Sequence, residues 1–146
     1  MAVFKYRMQN ILDIKLKLES QAKIAYGIAN QKYLAEQQKL QELIMRRTGY
    51  EMTLKSLMSG TIDVLKVTRA RADVNTMKTL VRRQMIEVHK AELELEDARK
   101  ALNEVMQERK IQEKLKEKAF EQFKDEIKQA ESKEIDELVS FTYNSK

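Results

Sequence analysis

A single histidine, His89, lies just ahead of the carboxylates Glu92, Glu94 and Glu96. A histidine beside acids could hold a metal ion or move a proton. A metal site needs further ligands, and the chain has no cysteine and no second histidine to supply them. A run of glutamates on a polar helix face is solvated, and a carboxylate becomes a useful acid or base only when burial or crowding shifts it. No glycine-rich phosphate loop and no Gly-x-Ser-x-Gly nucleophile motif is present. These features argue against an enzyme, a cofactor and a small-molecule substrate.

What remains is surface chemistry. Arg46, Arg47, Lys55, Lys66, Arg69, Arg71, Lys78, Arg82 and Arg83 crowd the middle of the chain. Residues 60–85 carry a net charge of +4, residues 86–146 a net of −4, and the whole chain +5. A basic zone suits an acidic protein, anionic lipid headgroups or a phosphate backbone, or is simply a solvated face. Aromatics are scarce beside these cations. That disfavours single-stranded nucleic acid, whose bases stack on rings. Tyr6, Tyr26, Tyr33 and Tyr50 can lie half-buried with a wet hydroxyl, either packing along a seam or anchoring a partner. Phe120, Phe123, Ile127, Ile135, Leu138 and Phe141 form a third group near the end of the chain.

These residues need long helices to position them. The chain lacks proline and has three glycines, 35% charged and 6% aromatic residues, the signature of extended helical proteins rather than compact globules. Val67, Ala70, Val74, Met77, Val81, Gln84, Val88, Ala91, Leu95, Ala98, Leu102 and Val105 step by three and four residues, the coiled-coil period. Ser59-Gly60-Thr61 is the one strong turn signal in the middle. Glycine there can end a helix in the left-handed conformation, Thr61 can cap the next helix, and Asp63 suits its first turn. The expected fold is therefore all-α: a single antiparallel coiled-coil hairpin over residues 1–146. Helix 1 runs over about 3–58, the turn over 59–61, and helix 2 over about 62–142.

Helix 1 reads Leu40, Leu43, Arg47, Tyr50, Leu54 and Leu57 near the turn. Earlier it reads Phe4, Met8, Ile11, Leu18, Ala22, Ala25 and Ala29, with a phase slip at residues 29–33. Asp13–Lys17, Glu19–Lys23, Glu42–Arg46 and Glu51–Lys55 fall on the outward face at i,i+4, where such pairs contribute about 0.2–0.5 kcal/mol each. Breaks at Gly27 and Gly49 would instead give a four-helix bundle. A mid-helix glycine costs only about 1 kcal/mol, and no proline or polar cluster accompanies either one. Helix 2 outlasts helix 1, so Ile135, Leu138 and Phe141 form an exposed apolar patch in search of a partner. Phe4, Met8 and Ile11 are expected to cover Phe120 and Phe123.

The two ends carry a recognisable pattern. The opening Phe4-Lys5-Tyr6-Arg7-Met8-Gln9-Asn10-Ile11-Leu12-Asp13-Ile14-Lys15 resembles that of the flagellar export protein FliJ family. The Lys/Glu-rich second arm is similar too, from Glu117-Lys118-Ala119-Phe120-Glu121 to Lys133-Glu134-Ile135-Asp136-Glu137. The resemblance implies a stalk-like antiparallel coiled coil serving the flagellar type III export apparatus. The implied partners are the hexameric export ATPase, the export-gate membrane protein and export chaperones. Mapped onto this sequence, the ring contact is Phe4, Tyr6, Met8, Ile11, Phe120 and Phe123. The gate contact it implies includes Leu43 and Tyr50, and Arg46, Arg69 and Arg71 of the basic zone are added to it as an expected gate or partner contact. Enteric members carry aromatics a dozen residues after the turn, where this chain has Arg69, Arg71, Ala72 and Val74.

The alternatives are a basic helical-hairpin module for nucleic acid, like the arm of a tRNA-charging enzyme, or a stalk subunit of a vacuolar-type rotary ATPase. The opening residues lack the apolar core of a signal peptide, and no stretch has the roughly 18 apolar residues that span a bilayer. The expected location is cytoplasmic, peripheral to the inner face of the plasma membrane.

Overall fold

The computed structural model describes residues 2–144. Two helices account for most of them, α1 at Gln9–Leu57 and α2 at Val64–Asn144, with no strand among the described residues. Gly27 and Gly49 lie inside an unbroken α1, so neither divides it. The chain clusters into two units. One joins residues up to 21 with residues from 103 onward, and the other is residues 22–102.

The second unit contains the turn. Met58 and Ser59 close α1 with bonds from their amides to the carbonyls three residues back, Lys55 and Ser56, at 3.3 Å each. Gly60 follows at φ 78°, the left-handed conformation that glycine adopts without a Cβ penalty. The cap of α2 is Asp63, not Thr61. Its carboxylate accepts the Leu65 amide at 3.0 Å and the Lys66 amide at 3.4 Å, and its carbonyl takes the first helical bond from Val67 at 3.0 Å. Asp63 wins because it stands immediately before the first helical residue, where a side-chain acceptor reaches the free amides of the first turn.

Within this unit the helices run antiparallel: Lys32 pairs with Glu94 at 3.0 Å, and Glu36 with Gln84 nearer the turn. The α2 stripe forms the core. Ala70, Val74, Met77, Val81 and Ala91 are buried, and Val67, Gln84, Val88, Leu95, Ala98 and Leu102 are half-buried. On α1 the facing positions are Ala22, Tyr26, Ala29, Tyr33, Glu36, Leu40, Leu43, Arg47, Leu54 and Leu57, all half-buried, with Tyr50 at the same spacing but exposed. Steps of four and three alternate throughout, so the phase slip expected at residues 29–33 does not occur.

In the first unit the facing positions on α1 are Met8, Leu12, Lys15 and Glu19, again spaced four and three. Ile11 and Leu18, expected in the stripe, each precede a seam position by one residue and are exposed. Ala25, in the second unit, is displaced in the same way and exposed too. Glu19, expected outward, is only 6% exposed. The seam follows position rather than polarity, because α2 answers with Val105, Arg109, Gln112, Lys116, Ala119 and Phe123 at seam spacing.

Helix 1 begins at Gln9 rather than near residue 3. Residues 2–6 are non-helical and residues 7 and 8 form a turn. From this non-helical segment Phe4 meets the Phe120 and Phe123 rings and Tyr6 bonds to Gln112. A helix would place Phe4 and Tyr6 about 200° apart around its axis and leave one in water.

Candidate functional site

The aromatic residues of the opening segment meet α2 inside the first unit. The Phe4 ring packs edge-on against Phe120, with centroids 5.0 Å apart and planes at 65°, and tilts against Phe123 at 5.4 Å and 49°. Both geometries suit the ring quadrupole. Lys124 Nζ stands 4.7 Å from the centroid of the Phe120 ring, a cation–π contact. The Tyr6 hydroxyl donates to Gln112 Oε1 at 3.2 Å. Phe120 still keeps 39% of its surface in water. Next to it, Phe4, Gln9, Leu12, Leu16, Glu113, Lys116, Glu117 and Phe120 line a groove of about 510 Å³. Of the six residues mapped to a ring contact, Phe4, Phe120 and Phe123 thus form one cluster, with Tyr6 bonded nearby. Met8 lies half-buried at the start of the seam, and Ile11 faces outward beside it.

Below the cluster the seam is ionic. Arg109 Nε donates to Glu19 Oε2, its Nη2 reaches Glu19 Oε1 at 3.4 Å, and its Nη1 donates to Glu113 at 2.9 Å. Lys15 Nζ pairs with Glu108 at 2.8 Å. The Glu19 hydrogen bond, opposed by burial and helped by the charges of Glu113 and Glu19, raises the Arg109 pKa above its ordinary value. The sequence reading missed this arrangement. Its signal was present: oppositely charged residues occupying seam positions on both arms.

In the second unit Leu43 and Arg46 share a groove of about 550 Å³ with Lys39, Glu42, Met45 and Gln84. Tyr50, Arg69 and Arg71 are exposed. Lys32 and Glu94 mark one flank of the pair, and heptad spacing puts Arg46 and Arg69 toward that flank and Arg71 on the opposite one. The five residues mapped to the gate contact are therefore not one patch. Tyr33 is half-buried and its hydroxyl accepts from Gln37 Nε2 at 2.8 Å, the wet-tip packing expected of it. Ile135, Leu138 and Phe141 lie on the end of α2, between 59% and 72% exposed.

His89 is exposed, 3.9 Å from Glu92. Among the described residues no group of three or more His, Asp or Glu could hold a metal ion, and no helix is long and apolar enough to cross a membrane.

A family model described as the flagellar FliJ protein matches residues 4–146. The chain belongs to the FliJ family. It is thereby a component of the flagellar export apparatus, in a family of non-catalytic export proteins. Comparison with curated proteins returned no match, and neither did comparison with solved structures. The aromatic opening that resembled FliJ is the segment that packs on α2 here, and the FliJ match includes both partners of that contact.

Proposed function

We propose that this chain is the central-stalk-like component of the type III export apparatus, working on the cytoplasmic face of the membrane without catalysis of its own. The first unit binds the hexameric export ATPase through Phe4, Tyr6, Met8, Ile11, Phe120 and Phe123. In the second unit, Leu43, Arg46, Tyr50, Arg69 and Arg71 supply contacts to the export-gate membrane protein. The apolar face of Ile135, Leu138 and Phe141 takes a further partner, the export chaperones.

The observation that carries this reading is the half-wet aromatic cluster of Phe4, Phe120 and Phe123. Rings held in place by each other yet open to solvent are pre-organised contact area, and aromatics dominate binding energy at protein interfaces. The exposed ion pairs elsewhere contribute under about 1 kcal/mol each, which suits contacts that form and release repeatedly.

The test adds the purified chain to its cognate ATPase and measures turnover and oligomer size. Stimulated hydrolysis and co-migration are expected, with Phe4→Ala plus Phe120→Ala losing most of the stimulation while remaining helical. A wild-type chain that neither stimulates nor co-migrates would sink the proposal.

A further inference from the structure

The turn that joins the helices carries an apolar tip with a collar of unpaired cations behind it. Met58, Ile62, Val64 and Leu65 are 50%, 53%, 74% and 66% exposed. Between them stand the small residues Ser59, Gly60 and Thr61, and a Cβ built on Gly60 meets nothing within 4 Å. Four large apolar groups around one exposed turn exceed the scattered surface leucine that needs no explanation.

The charges beside them are equally one-sided. Lys55, Lys66, Arg69 and Arg71 are exposed, and none makes an ion pair with another described residue. Three acids lie nearby; two are engaged, and the third, Asp73, is exposed one turn beyond Arg69. The Asp63 carboxylate accepts the first amides of α2, and Glu51 lies 3.6 Å from Arg47 Nε.

We propose that this tip binds an anionic lipid bilayer, with Met58, Ile62, Val64 and Leu65 entering the headgroup–acyl boundary and Lys55, Lys66, Arg69 and Arg71 contacting lipid phosphates. The spacing fits. Lys55 lies three residues behind Met58, and Arg69 four behind Leu65, or about 4–6 Å along each helix. Interfacial segments bury their apolar side to a depth of about 5–10 Å, which leaves these cations level with the phosphates. The turn backbone has amides and carbonyls outside any helix, and these forbid deeper entry into hydrocarbon. A fluid bilayer also needs no groove to receive a protruding turn. The cation collar selects an anionic surface, since each lysine or arginine near one strengthens partitioning about fivefold.

The test mixes the full chain with vesicles of phosphatidylcholine containing about 30% phosphatidylglycerol, and with vesicles of phosphatidylcholine alone, at about 0.15 M salt. Sedimentation with the anionic vesicles only is expected. Val64→Ser plus Leu65→Ser should weaken it about tenfold or more. Lys55→Glu plus Lys66→Glu, which spares the Arg69 and Arg71 assigned to the gate, should abolish it, with unchanged helicity in both variants because all four side chains are exposed. The chain has no tryptophan, so Leu65→Trp gives a single reporter whose emission should shift to the blue on the anionic vesicles. No sedimentation, an unshifted tryptophan, full displacement by inorganic phosphate, or undiminished binding by the serine variant would each overturn the proposal. Capture of an acidic protein by the tip without any vesicle binding would do the same. None of these outcomes bears on ATPase stimulation, which depends on residues of the other unit.

Discussion

Arg109 grips Glu19 with two nitrogens at a position where a coiled coil normally buries leucine. Both carboxylate oxygens are engaged and Glu113 takes a third guanidinium nitrogen. Such a pair specifies alignment, because sliding one helix by a residue would leave a charge facing apolar neighbours. Replacing both members by apolar residues of similar size is often neutral or stabilising, whereas removing one strands the other. Glu19→Leu alone should therefore lower the melting temperature more than Glu19→Leu with Arg109→Leu. Thermal melts followed by circular dichroism decide it, and a double variant at least as damaged as the single would refute the role.

The contrast between the two arms explains what the sequence disclosed. In α2 all but one of the seam positions from Val67 to Val105 are apolar, so the period is visible and the structure buries or half-buries every one. In α1 the seam holds Lys15, Glu19, Glu36 and Arg47, while Ile11, Leu18 and Ala25 stand one residue away from it. Following hydrophobicity there leads off the seam and creates an apparent slip. The non-helical opening had only the aromatic pair Phe4 and Tyr6 to mark it, a signal too short to outweigh the helical pattern that follows. The ring cluster was readable as an expected cover of Phe120 and Phe123. The flanks of Arg46, Arg69 and Arg71 depend on the exact seam of both helices and were not.

Met77 and Met85 are eight residues apart on α2 and differ in environment. Met77 is 6% exposed and Met85 55%. Met77→Ala should cost about 2–5 kcal/mol through lost burial and the cavity left behind. Met85→Ala should change stability by less than about 0.5 kcal/mol. Denaturant melts of the two variants measure the difference directly, and equal effects would mean the seam has been placed on the wrong face.

Gly27 and Gly49 sit in helix with nothing within 4 Å of an added Cβ. Alanine at either should stabilise by about 0.5–1 kcal/mol, since glycine loses more backbone freedom on folding. Gly60→Ala should destabilise instead, because the φ of 78° is strained for any side chain. Opposite signs at helix and turn are the expected result of a three-variant melt series.

Among the described residues, Asp63 is the sole side-chain acceptor for the first free amides of α2. Asp63→Ala should cost about 1 kcal/mol, and Asp63→Asn or Asp63→Ser should restore most of it. Thr61→Ala should be nearly neutral. A thermal melt in which Thr61→Ala proved the more damaging would return the cap to the threonine.

Glu36 supplies a dependence on acid. The Gln84 amide donates to its carboxylate, and this bond, helped by Lys39 and Lys32 and opposed by burial, holds the Glu36 carboxyl below the usual carboxylate range. A group whose pKa is lower folded than unfolded adds stability above its unfolded pKa and loses it as pH falls through the folded value. Gln84→Leu removes the donor and raises the Glu36 pKa toward the ordinary range. The wild type should therefore lose stability more steeply than Gln84→Leu as pH drops below about 4. Melting temperatures measured from neutral pH to about pH 2 give the two slopes. Parallel curves would mean that the Gln84–Glu36 bond makes no net contribution to the fold.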